Sequence, residues 1–176
     1  MELETKRLTL REMTRADMPS LASMLQDPVA MVAYEGPFSD DEVRAWLDGQ
    51  LLRYARDGFG LWAVDRRDTG QMVGQCGISW QDIDGVRRPE IGYHVMRRFW
   101  HHGIATEAAK ACRDYAFTQL GMDEVYSQVR DINVASMNVA IRMGMTIRSR
   151  FMKTYRGVEM PHYAFSIRAA SAGGRV

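Results

Sequence analysis

Arg97-Arg98-Phe99-Trp100-His101-His102-Gly103-Ile104-Ala105-Thr106-Glu107-Ala108-Ala109 is the stretch on which the fold turns. Before it, RPEIGYHVM (88–96) alternates as a strand does, and after it the period changes. Ile104, Ala108, Ala111, Cys112, Tyr115 and Ala116 share one face of a helix running from Gly103 to Leu120, with Gly121 as its stop. A strand therefore gives way to a loop with small residues at Gly103 and Ala105, just ahead of an amphipathic helix. Unpaired amides and the positive end of the helix dipole meet at such a junction, and small residues let an anion such as a diphosphate come close to the backbone. His101, His102, Arg97 and Arg98 add positive charge. An ordinary tight strand-to-helix turn uses the same residue types, so the surroundings must decide. Neither GxxxxGK[ST] nor a GxGxxG after a strand is present, which removes the P-loop and dinucleotide-fold readings.

Upstream of the junction, FGLWAVDR and QMVGQCGISWQ are two more strand-like runs, with turn signals at Arg67-Asp68-Thr69-Gly70 and Asp82-Ile83-Asp84-Gly85. Leu8 and Leu10 mark a first strand. Thr14 with Asp17 and Ser39 with Glu42 are capping-box pairs, so helices are predicted over Arg15 to Gln26, ended by Pro28, and from Ser39 to the Gly58/Gly60 stop. Val43, Trp46, Leu47, Leu51 and Tyr54 give the second of these its buried face. Downstream lie a short strand, EVYSQV, a helix from Asn133 to Met143 stopped by Gly144, and two strands around Arg156-Gly157. The order β-α-α-β-β-β-α-β-α-β-β predicts a mixed sheet carrying helices, in the α+β or α/β class. Residues 1–169 are expected to form a single domain and 170–176 a frayed tail.

Composition narrows the function classes. The chain has 176 residues, 46% hydrophobic and 26% charged, which suits one globular domain with a sizeable core. With 23 Lys+Arg against 22 Asp+Glu and no basic run, nothing points to nucleic acid or anionic lipid. No apolar stretch approaches the ~20 residues of a membrane span, and MELETKRLTLREM has no signal-like core, so a cytoplasmic location is expected. Cys76 and Cys112 lack metal or redox spacing and read as small buried residues, and adjacent His101 and His102 make no metal site.

Trp100, two residues, Gly103, one residue and Ala105 form a pattern that returns to the family level when taken with Asn133-Val134-Ala135-Ser136 and Arg142-Met143-Gly144-Met145, about 30 residues on. Together with the element order they resemble the GNAT acetyltransferase superfamily over about Thr5 to Arg168. Trp100 in the first motif position, followed by Ala105-Thr106-Glu107-Ala108, is similar to the branch of ribosomal-protein alanine and serine N-acetyltransferases, although His101 stands where many of that branch have glycine. The resemblance implies acetyl-coenzyme A as co-substrate, no metal, and direct acetyl transfer to a primary amine, on a protein N-terminus or a small amine or amino-acid-like metabolite, by a monomer or homodimer. A non-catalytic acyl-coenzyme A-binding module is the alternative.

The resemblance also implies roles. The backbone of His94, Val95 and Met96 would pair with the pantetheine arm, and His101, His102, Gly103, Ile104, Ala105 and Thr106 would hold the pyrophosphate. Asn133 and Asn138 would contact the pantetheine or the phosphoadenosine end. Glu90 is the candidate base, or else a solvated charge beside Pro89. The family's usual tyrosine acid falls at Ala140, so Ser136 is the candidate proton donor, or else a helix-start residue beside Asn133. Tyr34, Glu35, Phe38 and His162 fall where acceptor pockets form, although a lone strand histidine is also an ordinary structural residue.

Overall fold

The computed structural model describes residues 2–170, so 171–176 of the expected tail lie outside the described residues. Eight strands form one sheet: β1 (Glu2–Glu4), β2 (Leu8–Arg11), β3 (Leu61–Arg66), β4 (Met72–Ile83), β5 (Val86–Val95), β6 (Glu124–Arg130), β7 (Thr146–Tyr155) and β8 (Val158–Arg168). Their spatial order is β1-β2-β3-β4-β5-β6-β8-β7. Four helices cover it: α1 (Met18–Leu25), α2 (Asp40–Asp57), α3 (Ile104–Thr118) and α4 (Val134–Arg142). The mixed α/β class and the element order match the sequence, with one addition: the three-residue edge strand β1, too short to carry a periodic signal.

Both capping boxes form. Thr14 with Asp17 opens a 3-10 turn leading into α1, and Ser39 with Glu42 opens α2, which ends at Gly58 in the left-handed conformation. The strand period distributes the core over two faces. Trp62 and Val64 of β3 join α3 and α4 residues in one cluster, whereas Leu61 and Ala63 join α1 and α2 residues in the other. Cys76 and Cys112 are buried with their sulfurs 3.5 Å apart, one on β4 and one on α3. Two-residue turns at Asp84-Gly85 and Arg156-Gly157 have positive φ at both positions, the geometry that matches strand twist.

Packing is tight where β3 meets β4. A Cβ on Gly77 would lie 2.0 Å from the Gly60 carbonyl oxygen and 2.8 Å from Leu61 Cα, and backbone cannot swing aside as a side chain can. Gly77→Ala is therefore expected to cost about 3 kcal/mol, the upper end for overpacking. A urea melt checks this: the midpoint should fall with the slope unchanged.

One pairing in the sheet sets up the site. β5 and β6 run parallel, joined by the crossover helix α3 that a parallel connection requires, and their pairing consists of Glu90 opposite Tyr126. Beyond that pair the two strands part.

Candidate active site

The parted strands open a cavity of about 570 Å³ that reaches both faces of the sheet. Ser127 Oγ donates to the Ile91 carbonyl at 2.8 Å and closes the base of the slot. On β5, successive residues turn their backbone groups to opposite edges. Ile91 faces β6 through that bond, and the Met96 N–H is given to Val73 of β4 at 2.9 Å. The alternation thus leaves Tyr93 and Val95 facing the slot, while His94 and Met96 turn their backbone toward β4. Of the three residues expected to pair with the pantetheine arm, Val95 has its backbone at the opening. Met96 is buried among the α1 and α2 side chains, and His94 meets the cavity with its ring.

At one end of the slot is the loop before α3. Gly103 is its N-cap, at φ 75°, and no side chain caps the helix, unlike α2 and α4. The first-turn amides are therefore left for a ligand or water. His101, Gly103, Ile104, Ala105 and Thr106 all line the cavity, and His101 shares the left-handed conformation at φ 64° that glycine adopts without strain. His102 is exposed and uses its ring on the loop itself, Nδ1 lying 2.7 Å from the Trp100 carbonyl. Trp100 in turn donates its indole N–H to the Val95 carbonyl at 2.7 Å, which ties the loop to β5. Arg7 was not among the sequence candidates. It donates to Glu107 at 2.7 Å and to the His102 carbonyl at 3.0 Å, which ties the loop before α3 to the first turn of that helix.

Helix α4 forms the next wall. Asn133 Oδ1 accepts from the Ser136 amide at 3.1 Å, so Asn133 is the cap, and both Asn133 and Asn138 line the cavity. The Ser136 hydroxyl donates to Tyr93 Oη at 3.1 Å, while that phenol donates to the Ser136 carbonyl at 2.7 Å. Burial raises the Tyr93 pKa, keeping it protonated. Ala140 points into the core, fully buried. A phenol does stand beside α4, but it comes from β5.

On the opposite face Glu90 lines the cavity and accepts from the Gln128 amide at 3.2 Å. Burial raises its pKa, partly offset by the charge of Lys153 and the Gln128 N–H. Lys153 Nζ donates to Gln128 Oε1 at 2.9 Å. Tyr34 Oη lies 2.9 Å from His94 Nε2, with both rings in the cavity wall. His162 is buried, its Nδ1 3.0 Å from the Met160 carbonyl, so that nitrogen carries the proton and Nε2 a lone pair. Burial lowers its pKa. Glu35 and Phe38 are placed differently from Tyr34 and His162. Glu35, in the left-handed conformation at φ 59°, pairs with Arg130, and Phe38 is buried behind the wall, its ring 6.2 Å from Tyr34 and 5.7 Å from Trp46. Among the described residues no group of three or more His, Cys, Asp or Glu could hold a metal.

Comparison with known proteins gives a consistent result. Residues 7–146 match a family model described as an acetyltransferase (GNAT) domain. The chain is 35% identical over 161 residues to the uncharacterized protein YkkB of Bacillus subtilis, covering 91% of each. It is 31% identical to the FsC-acetyl coenzyme A-N(2)-transacetylase of Aspergillus fumigatus, covering 94% of this chain and 75% of that protein. Among solved structures, a putative ribosomal-protein-serine acetyltransferase from Vibrio cholerae superposes with a TM-score of 0.81 at 21% identity, covering 96% of this chain and 98% of the other; it shares the fold.

Proposed function

The chain belongs to the GNAT family of acetyltransferases, and from that premise we propose that it moves acetyl from acetyl-coenzyme A directly onto a primary amine, on a small amine or amino-acid-like metabolite or a protein N-terminus. The observation that carries this reading is the one cavity on which an uncapped helix start, an unpaired strand edge, a half-buried carboxylate and a tyrosine-serine pair all open.

Each group fits one demand of the reaction. The first-turn amides of α3 would hold the diphosphate, and the edge of β5 at Tyr93 and the Val95 N–H, the Val95 carbonyl being taken by Trp100, would align the pantetheine arm as an added strand. That places the thioester between α4 and Glu90. An amine reaches the cavity as an ammonium and cannot attack until it loses a proton. Glu90, with its raised pKa, takes that proton directly or through water. The nitrogen lone pair then forms the C–N bond, the C–S bond breaks, and the departing sulfur receives a proton from the Ser136 hydroxyl, which Tyr93 Oη adjoins at 3.1 Å, while the second proton that the nitrogen sheds on becoming an amide restores that hydroxyl. His162, with its Nε2 lone pair, and Tyr34 line the acceptor side, and a cytoplasmic enzyme fits the free thiols Cys76 and Cys112.

Thiol release measured with acetyl-coenzyme A and a panel of amines and peptides tests the reading. Turnover that depends on acceptor is expected, with kcat reduced about 10²-fold in Ser136→Ala. Tight coenzyme binding with no acceptor-dependent thiol release overturns it and leaves a binding module.

A further inference from the structure

Gln75 has no exposed surface and sits within β4, where a buried amide needs its donors and its acceptor met. Trp46 Nε1 lies 3.0 Å from Gln75 Oε1. An indole nitrogen can only donate, so the Gln75 oxygen faces Trp46 and its NH2 faces His94, whose Nδ1 is 3.1 Å away. The amide nitrogen cannot accept, so Nδ1 is the unprotonated ring nitrogen. The imidazole proton is then on Nε2 and is donated to Tyr34 Oη at 2.9 Å. Turning Gln75 around would set its NH2 against the indole N–H. Every link therefore has one direction, and it is set by Trp46. Having accepted from His94, the Tyr34 hydroxyl has its own proton to give, and its ring stands in the cavity wall.

The direction persists at neutral pH. Burial pushes the His94 pKa down to about 4, and burial together with the Glu90 charge raises that of Tyr34, so the ring stays neutral and the phenol protonated. Lys153 and Arg53 line the same cavity and both act on the charge of Glu90, and Arg53 acts on Asp57 as well. Beside the Glu90 carboxylate that would take the amine's proton, a phenol, an ammonium and a guanidinium offer protons, an arrangement complementary to an amine that also carries lone pairs.

Resting on the amine-acetylation reading above, we propose that Trp46, Gln75 and His94 fix Tyr34 as a hydrogen-bond donor that selects amines carrying a carbonyl or carboxylate oxygen. A free amino acid and the first residue of a peptide share that chemistry, and a plain alkylamine lacks it. Tyr34 is the specificity-determining residue, and Gln75 and His94 are positioning residues.

Two measurements on the full chain test this. The first is the ratio of kcat/KM for an amino acid or a short peptide to that for an alkylamine of similar size. Tyr34→Phe is expected to lower the ratio about tenfold, the worth of one hydrogen bond, and Gln75→Leu to lower it severalfold by freeing the His94 ring. An unchanged ratio in Tyr34→Phe overturns the proposal. Comparison of the amino-acid and peptide arms tells the two oxygen sources apart, and a preference for either over the alkylamine supports it. The second is the nitrogen NMR spectrum of the His94 ring in the unsubstituted protein. Protonation at Nε2 alone is expected, and an Nδ1–H ring overturns the series whether or not the enzyme turns over. If no amine of any kind is acetylated, the functional reading falls and the selection with it. If amines are acetylated but the ring is Nδ1–H, only the present proposal falls.

Discussion

Glu90→Gln is expected to lower kcat/KM for the acceptor by about 10²- to 10⁴-fold, the usual contribution of a positioned general base. Glutamine keeps the shape and can still accept from the Gln128 amide, so the loss isolates the proton-accepting role. The pH dependence sharpens the test. Burial penalises the charged carboxylate and raises its pKa above the ordinary 4.5, so the acid limb of the rate profile should lie above that value. Activity falls as pH drops through the raised pKa, and in Glu90→Gln that limb should vanish. Stability should move the other way. A carboxyl whose folded-state pKa is raised binds protons more tightly in the native state, so its contribution declines as pH rises through that pKa, and the glutamine variant is spared this cost at neutral pH. Urea midpoints at pH 7 should therefore be equal or higher in the variant. A lost rate accompanied by a lower midpoint would mark Glu90 as structural, and an unchanged rate would shift the search for a base to His162 Nε2.

Gly103→Trp is expected to weaken coenzyme A binding by about 100-fold or more, read by calorimetry. Position 103 caps α3 at φ 75°, where any side chain is strained, and it borders the amides proposed to hold the diphosphate. Charge-assisted hydrogen bonds contribute roughly 1.5–3 kcal/mol each, so losing two accounts for that factor. The residue is exposed and its built Cβ meets Arg7 Nη2 at 3.5 Å, so the fold should survive, with helical circular dichroism retained. Unchanged affinity in a folded variant would put the diphosphate elsewhere.

Most of the fold was legible from the residues because its signals are local. Thr14 with Asp17 and Ser39 with Glu42 act over three positions, helical faces repeat over one turn, and Gly58, Gly85 and Gly157 answer to the φ of their own residue. These set where elements begin and end before any long-range contact forms. β1 was missed because three residues are too few to establish a period.

The site was legible in part. Gly103 to Thr106 lie in the cavity wall because a small-residue turn into a helix is itself a local pattern, and Glu90 and Ser136 line the same space. Other features depend on how distant elements meet. His94 and Met96 turn their backbone away from the slot because strand alternation is counted from the register with β4, which the sequence does not print. Glu35 is spent on Arg130, 95 positions away in the chain, and Phe38 backs the wall, since packing decides which neighbours of Tyr34 face the ligand.

From the sequence alone, then, came the element order, the helix caps and the anion-suited turn before α3, since each is decided by residues within a few positions. Tertiary structure decided that β5 and β6 part after Glu90 opposite Tyr126, that Tyr93 reaches Ser136, and that Trp46, Gln75, His94 and Tyr34 line up in one direction. These contacts join separate strands and helices, and hydrogen-bond direction exists only once the donors and acceptors have been brought within 3 Å or so of one another.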